Sequence, residues 1–475
     1  MGVEILVELQ NYSFSYDRKT QILSNINLKI NQGEFVVITG LSGCGKTTLT
    51  RVLNGLCPNF YQGEVQGKYE LYGKNVEDMS ISELSKYWGS VFQDPRSQFL
   101  ARKVKDELVI AMENACEDRI SMKKKLNEVA RDLEIENILD RDMMYLSSGE
   151  KQKVAIGSVF CTHPKGFVLD EPSANLDNLA TRGLADFLKG IKEKGHTVVI
   201  SEHRLHYLKN LMDRLIIMKD GHIIKDLSDN ELKFLSNSDL SDFGLRKFDL
   251  PKINVGKDVR GKNPFIACKG IGCLKNFYRI LDDVDFNMEN GKIHVIVGEN
   301  GAGKSSICKV ITGLYKQTEG SVYISNKPVK KKERLKRTFF VGQDVDYQLY
   351  GYSVRNEFRI GNKRLPDEKI KDCLDEINLK ISLDINPQVL SGGQKQRLLI
   401  GIAYISDRDI IVFDEPTSGL DGFHMKIIAN LIRKLTEKGK TVIIITHDLE
   451  FVSEVADTIC YISSGKIKYH KELIS

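Results

Sequence analysis

The segment Gly40-Leu41-Ser42-Gly43-Cys44-Gly45-Lys46-Thr47 fits the pattern G-x-x-x-x-G-K-[ST], and it recurs as Gly298-Glu299-Asn300-Gly301-Ala302-Gly303-Lys304-Ser305. Such a loop works only between a buried strand and the start of a helix, so each copy imposes a strand–loop–helix unit. The copies lie about a domain length apart. A chain of 475 residues also exceeds one ordinary core, so two or more domains are expected.

Other segments repeat as well. Leu146-Ser147-Ser148-Gly149-Glu150-Lys151-Gln152 returns as Leu390-Ser391-Gly392-Gly393-Gln394-Lys395-Gln396. Phe167 to Pro172 returns as Ile411 to Pro416, and Val198 to His203 returns as a run ending at His447. These three pairs share one offset, which marks a duplicated structural unit. Upstream, the second copy is shorter both before Gln343 and between Gln343 and Leu390, where surface elements tolerate trimming.

Each half alternates short apolar β-rich runs with helical patterns. That predicts a mainly parallel sheet covered on both faces, with an antiparallel β part. Residues 118–145 read as a helical subdomain. The expected boundaries are a first domain over 1–236, a polar linker over 237–262 and a second domain over 263–475.

Composition excludes several classes. No run approaches the roughly 18 apolar residues of a membrane span. The N-terminus lacks the charged-then-apolar order of a secretion signal, so a cytosolic chain that docks on a membrane protein is expected. Nine cysteines are scattered singly with no C-x-x-C, which argues against a disulfide framework or a zinc site. Cys44 reads as a small filler of the first loop. The net charge of +5 permits an anionic partner without demanding one. The basic run Lys330 to Arg337 reads as a solvated helix face.

The chemistry follows from the loops. Their backbone N–H groups and the helix start cradle phosphates. Lys46 and Lys304 add a point charge, and Thr47 and Ser305 offer a hydroxyl to Mg²⁺. Asp170 and Asp414 end apolar strands and suit a hydrated Mg²⁺. Glu171 and Glu415 follow as candidate general bases for an attacking water. His203 and His447 recur at a fixed distance from those pairs and are placed at the γ-phosphate.

Together these segments resemble a tandem ATP-binding cassette (ABC) ATPase over nearly the whole chain. The Leu-Ser-x-Gly segments resemble that family's signature. The resemblance implies two cassettes paired head to tail within the chain, with ATP and Mg²⁺ as cofactors. Each ATP would lie between the loop of one cassette and the signature of the other. The implied nucleotide contacts are Gly40, Ser42, Gly43, Gly45, Lys46, Thr47, Thr48, Gln93, Tyr16, Ser147 and Gly149 in the first half. In the second they are Gly298, Asn300, Gly301, Gly303, Lys304, Ser305, Ser306, Gln343, Ser391 and Gly393. Gln93 and Gln343 match the family's Q-loop and would also reach the metal. Asp177 and Asp421 match the D-loop aspartate.

Val91 to Phe99 with Val104 to Glu107 resembles the Q-loop region of energy-coupling factor (ECF) and cobalt-type importers, and Val341 to Glu357 repeats the theme more loosely. This implies a peripheral ATPase on the cytoplasmic membrane face. It would drive a membrane T component and a substrate-binding S component, importing vitamins, their precursors or transition-metal ions, with no nucleic acid involved. Asp106, Glu107 and Glu357 are expected to meet arginines of the membrane subunits. The rival class is a soluble tandem ATPase acting on ribosomes or nucleic acid; within importers, a sugar-importer ATPase is the other option.

Two departures are expected to make the sites unequal. Ser148 stands where the family signature usually has glycine. Counting back from the loops, Tyr16 is the adenine-stacking aromatic of the first half and Leu274 is its equivalent, with Phe277 and Tyr278 out of register. The Lys46 site is therefore expected to be the stronger.

Overall fold

The computed structural model describes residues 5–17, 20–174, 176–259, 264–275 and 278–474. Phe277 lies outside the described residues. The chain divides into two units, Met1–Asp249 and Leu250–Ser475.

Among the described residues the first unit holds ten strands: β1 (Ile5–Ser15), β2 (Leu23–Asn31), β3 (Phe35–Gly40), β4 (Glu64–Leu71), β5 (Lys74–Asn75), β6 (Trp88–Val91), β7 (Gly166–Asp170), β8 (Thr197–Ser201), β9 (Arg214–Lys219) and β10 (His222–Ser228). One sheet has the order β2-β1-β4-β5 and is antiparallel. The other has the order β10-β9-β3-β8-β7-β6 and is parallel except for its β10 edge. All residues of β3, β7 and β8 are buried. Continuous Val, Ile and Phe runs suit such strands because both faces are covered, and each fully buried side chain contributes about 1.5–3 kcal/mol.

Five helices position the chemistry of this unit: α1 (Lys46–Leu53), α2 (Val104–Asn114), α3 (Arg119–Asp132), α4 (Ser148–Phe160) and α5 (Asn178–Glu193). Helices α2 to α4 pack with Val104, Leu108, Val129 and Ile156 in one core. The helical character expected over 118–145 is concentrated in α3, started by Asp118 accepting from the amides of Ile120 and Ser121. Short 3₁₀ turns carry the chain from there to Leu146.

The second unit repeats the plan with β11 (Val255–Asp258), β12 (Ile266–Lys275), β13 (Tyr278–Met288), β14 (Ile293–Val297), β15 (Glu319–Ile324), β16 (Lys327–Pro328), β17 (Thr338–Val341), β18 (Ile410–Asp414), β19 (Thr441–Ile445), β20 (Thr458–Ser463) and β21 (Lys466–Leu473). Its antiparallel sheet runs β13-β12-β15-β16 and its larger sheet β11-β21-β20-β14-β19-β18-β17. The matching helices are α6 (Lys304–Thr312), α7 (Val354–Arg359), α8 (Asp367–Glu376), α9 (Gly392–Ile405) and α10 (Gly422–Glu437).

The segment expected to be a linker differs from that reading. Asn237–Asp242 is a helix started by Ser236, and Leu240, Leu245 and Phe248 are buried in the first core. At its other end β11 pairs with β21 of the second unit. Polar composition hid a few well-spaced apolar anchors. The basic run departs as well: Lys331–Arg337 is a helix, but Arg334 is only 1% exposed and donates to Gln317 Oε1 at 2.8 Å.

Candidate functional site

Each phosphate loop leaves its parallel strand through a glycine that no other residue can replace. A Cβ on Gly40 would sit 2.3 Å from Met218 O, and one on Gly298 would sit 2.1 Å from Ile462 O. Gly45 and Gly303, both at φ 104°, stand at the N-caps of α1 and α6, and neither cap has a side-chain hydrogen bond. The first-turn amides are thus left for an anion. Lys46 Nζ donates to the carbonyls of Gly40 and Leu41, both at 3.1 Å. Lys304 Nζ donates to Gly298 and Glu299, both at 2.8 Å. Each ammonium is therefore held across the mouth of its own loop.

The acidic pairs end β7 and β18. Thr47 Oγ1 donates to Asp170 Oδ1 at 3.4 Å, and Ser201 Oγ donates to the same oxygen at 2.5 Å. Burial raises the pKa of Asp170, against the bonds from Ser201 and Thr47. Asp414 is raised by burial in the same way, against a bond from Ser305. Buried carboxylates next to a hydroxyl and an anion cradle fit a Mg²⁺ completed by phosphate and water. Among the described residues no group of three His, Cys, Asp or Glu side chains could hold a metal by itself.

Glu171 and Glu415 adopt φ of 45° and 54°, a conformation uncommon for a non-glycine residue and concentrated at functional sites. Each backbone amide is fixed by the neighbouring strand, Glu171 N to Ser201 O and Glu415 N to Ile445 O, both at 2.9 Å. Gln93 Nε2 donates to Glu171 Oε2 at 2.9 Å, and His203 Nε2 lies 3.3 Å from Glu171 Oε1. Burial pushes the Glu171 pKa up, but His203, Lys46 and Gln93 together bring it below the ordinary value. A carboxyl held below its ordinary value suits the general base expected at this position. In the second unit His447 Nε2 lies 3.4 Å from Glu415 Oε1 and 3.1 Å from Asn300 Oδ1, and Thr446 Oγ1 donates to Glu415 Oε2 at 3.2 Å. Asn300, in the second phosphate loop, is thus tied to the Glu415–His447 pair.

Ser147 and Ser391 are N-caps with full capping boxes. Ser147 accepts from Glu150 N at 3.2 Å, while Glu150 Oε2 accepts from the Ser147 amide at 2.8 Å. Ser391 and Gln394 do the same at 3.4 and 2.9 Å. Gly149 and Gly393 follow in the first turns of α4 and α9. Asp177 and Asp421 are N-caps of α5 and α10.

Other sequence candidates fall in place around these. Tyr16 is 39% exposed, packs edge-on against Phe14 at 4.9 Å, and its hydroxyl lies 3.3 Å from Thr48 Oγ1. The equivalence with Leu274 is corrected by the strand registers. Asn11 and Gly270 share the positive φ that marks a bulge, and Gln10↔Lys68 corresponds to Lys269↔Ser321. This matches Leu274 with Ser15 and Lys275 with Tyr16. Counting back from the loop crossed a hairpin whose length differs by one residue.

The expectation that Glu107 and Glu357 meet arginines of another subunit is also corrected. Glu107 is 2% exposed and accepts from the amides of Leu100 and Ala101 at 2.8 and 2.7 Å. Glu357 is 4% exposed and accepts from Tyr350 and Gly351, with burial raising its pKa against those bonds. Both pin the loop that follows the glutamine; only Asp106 is left exposed. Sequence reasoning missed Glu202 as well. Buried at 2% exposure, it accepts from His203 N at 2.8 Å and Tyr207 Oη at 2.8 Å, next to Glu171. Its place in the His203 run was the available signal.

Two anion cradles, each facing an Asp–Glu pair and a histidine, define a two-unit P-loop ATPase. The sequence family described as ABC transporter matches residues 23–174 and 281–418. A Treponema denticola protein assigned as an ABC transporter ATP-binding protein is 40% identical over 471 residues, covering 97% of this chain and 96% of that one. A Clostridium perfringens protein of the same assignment is 32% identical over 515 residues, covering 98% and 90%. The solved structure of an RNase-L inhibitor aligns with a TM-score of 0.67 and 21% identity, over 98% of this chain and 90% of that one. A structure of ribosome-bound archaeal Pelota and ABCE1 aligns with a TM-score of 0.70 and 22% identity, over 97% and 78%. These last two likenesses show the shared fold. The chain belongs to the ABC transporter family, and its activity is ATP hydrolysis.

Proposed function

We propose that the chain is the ATP-hydrolysing subunit of a membrane importer of the ECF type, taking up a vitamin, a vitamin precursor or a transition-metal ion. The observation that carries the reading is the likeness along nearly the full length to proteins assigned as ABC transporter ATP-binding proteins. Exposed Leu100 after Gln93, and exposed Tyr347, Tyr350 and Tyr352 after Gln343, supply the apolar surface that a cytoplasmic helix of a membrane subunit needs. Among the described residues no helix is long and apolar enough to cross a membrane, so the T and S components would provide the passage.

Within this proposal each unit binds ATP with Mg²⁺. The first holds its nucleotide with Tyr16, Lys46, Thr47, Gln93, Asp170, Glu171 and His203. The second holds its own with Lys304, Ser305, Gln343, Asp414, Glu415 and His447. Glu171 and Glu415 take the proton of the attacking water, and the lysines hold the phosphate in place.

A tandem ATPase acting on ribosomes is the competing reading, since the ribosome-bound structure of Pelota and ABCE1 shares the fold over 97% of this chain. Affinity purification of the tagged chain from detergent-solubilised membranes separates the two. Recovery of a T-type and an S-type membrane subunit supports the importer; cosedimentation with ribosomes in their place overturns it.

A further inference from the structure

The first unit contains a cavity of about 470 Å³ between α3 and α4 on one side and α5 on the other. Its floor is apolar, with Val129, Ile156, Phe160, Leu184 and Phe187. At its base lies Gln152, 4% exposed, whose Nε2 has no hydrogen-bond partner among the described residues. A buried amide donor without a partner carries a cost of about 1–3 kcal/mol, which an occupant with an acceptor would remove.

The second unit shows that this is not a general feature of the fold. There Gln396, at the position of Gln152, donates to the carbonyls of Glu415 and Pro416. The matching groove, about 450 Å³, is lined from the α8 end and α10, with no residue of the signature helix α9. The difference traces to two positions of the helix after the aspartate cap. Ile427 and Lys434 line the second groove, and Lys434 pairs with Glu376 across it. In α5 the same positions are Gly183 and Gly190, and a Cβ built on either meets nothing within 4 Å. Two missing side chains therefore open the first groove down to α4, the helix that Ser147 caps.

The rim selects a charge. Lys194 is paired with Asp132 at 3.3 Å and Glu128 at 3.7 Å, and Lys153 donates to Leu133 O at 2.9 Å and lies 4.0 Å from Glu134. His163 and His196 both have pKa values lowered by burial, so they add no charge at neutral pH. Asp186 is exposed and has no ion pair among the described residues.

We infer that this cavity is a binding site for a small cationic molecule with an apolar body and a carbonyl-type acceptor. The ammonium sits at Asp186, the body on the Phe160–Phe187 floor, and the acceptor takes the Gln152 amide. A volume near 470 Å³ lies within the usual range for small-molecule sites. The inference stands on the first unit alone and does not depend on which transport partner the chain has.

The test uses the full chain and three probes: phenylalaninamide, tryptophanamide and leucinamide, followed by saturation-transfer NMR and equilibrium dialysis. Saturable one-to-one binding of at least one probe is expected. It should weaken about tenfold or more in Gly183→Ile/Gly190→Lys, which carries the second unit's residues into open space. It should weaken about threefold in Asp186→Asn, and by a similar factor for the N-acetylated probe. Absence of saturable binding for all three overturns the site. So does binding that survives both the glycine variant, folded as judged by an unchanged Tm, and Asp186→Asn.

Discussion

The two units carry the same candidate catalytic residues on the same strands, yet they hold them differently. In the first, Glu171 is bonded by Gln93 and flanked by His203, while Glu202 next to that histidine turns its carboxylate to the loop of Ser173 and to Tyr207. In the second, Thr446 stands at the position of Glu202 and bonds Glu415 directly. Asn300 ties His447 into the loop. Duplication preserved the reacting groups and let the groups that orient them diverge. The two sites should therefore differ in rate before they differ in chemistry.

The sharpest way to break the comparison is to remove each base in turn. Loss of a positioned general base lowers turnover about 10²–10⁴-fold at the site concerned. Steady-state ATPase assays of Glu171→Gln and Glu415→Gln should show the larger loss for Glu171→Gln, since Tyr16 favours the Lys46 site while Lys275 stands at its place in the second unit. Equal losses would mean that the divergent supports do not matter.

A second contrast lies away from the nucleotide. In the second unit His294 Nδ1 pairs with Thr458 Oγ1 at 2.8 Å, its Nε2 donates to Glu289 O at 3.0 Å, and His470 Nε2 meets Thr458 Oγ1 at 3.0 Å. Burial lowers His294 to about 4 and His470 to about 3, despite Asp457 and Glu289 near His294. The ladder registers match these positions with Val36, Arg214 and Asp226, where Arg214 and Asp226 form a two-pronged ion pair at 2.5 Å. A histidine whose folded pKa lies below its unfolded value stabilises fully above pH ~6.5. That stabilisation is lost as pH falls towards the folded value, and for His294 alone it amounts to about 3 kcal/mol. The second unit should therefore unfold first between pH ~6.5 and 4. Trp88, the only tryptophan, is buried in the first unit and reports that unit alone. An acid titration should lose far-UV circular dichroism before Trp88 fluorescence changes, and His294→Val should bring the two transitions together. Coincident transitions in the unaltered chain would refute the contrast.

Tyr16 gives a smaller effect. Tyr16→Ala should weaken nucleotide binding at the Lys46 site by about 1–3 kcal/mol, the range for base–aromatic stacking. Leu274→Ala should change little, since the register places Leu274 with Ser15. Fluorescent-nucleotide titrations with each site disabled in turn measure both.

The loops, acidic pairs, histidines and signatures were legible because each is a local pattern with a local job. A glycine at φ 104° or a capping serine is dictated by its own few residues. What escaped the sequence depends on distant neighbours. Glu107 and Glu357 look like surface charges until the loop amides that close on them are seen, since carboxylates are rarely buried. Leu240, Leu245 and Phe248 are too sparse to announce a core face, yet they anchor the segment read as a linker. The hairpin after Tyr16 differs in length by one residue between the units and moves the Tyr16 equivalence, which only the registers around the shared bulge at Asn11 and Gly270 reveal. Gln152 and Gln396 stand in matched signatures, yet only Gln396 donates to the carbonyls that follow its strand, Glu415 and Pro416.

The smallest expected difference lies at the starts of α4 and α9. Glu150 and Gln394 fill the same place in the two capping boxes, each accepting from its serine amide, at 2.8 and 2.9 Å. Glu150 adds a negative charge at a helix N-terminus, a favourable contribution of about 0.3–1 kcal/mol. Its 3.4 Å contact with Arg141 is solvent-exposed and adds little. Glu150→Gln keeps the hydrogen bonds and removes the charge, so the loss in stability should stay below about 1 kcal/mol in denaturant melts followed by Trp88 fluorescence. A larger loss would show that charge, not the capping bonds, sets the first signature helix, and that its start is not equivalent to the second despite matched geometry.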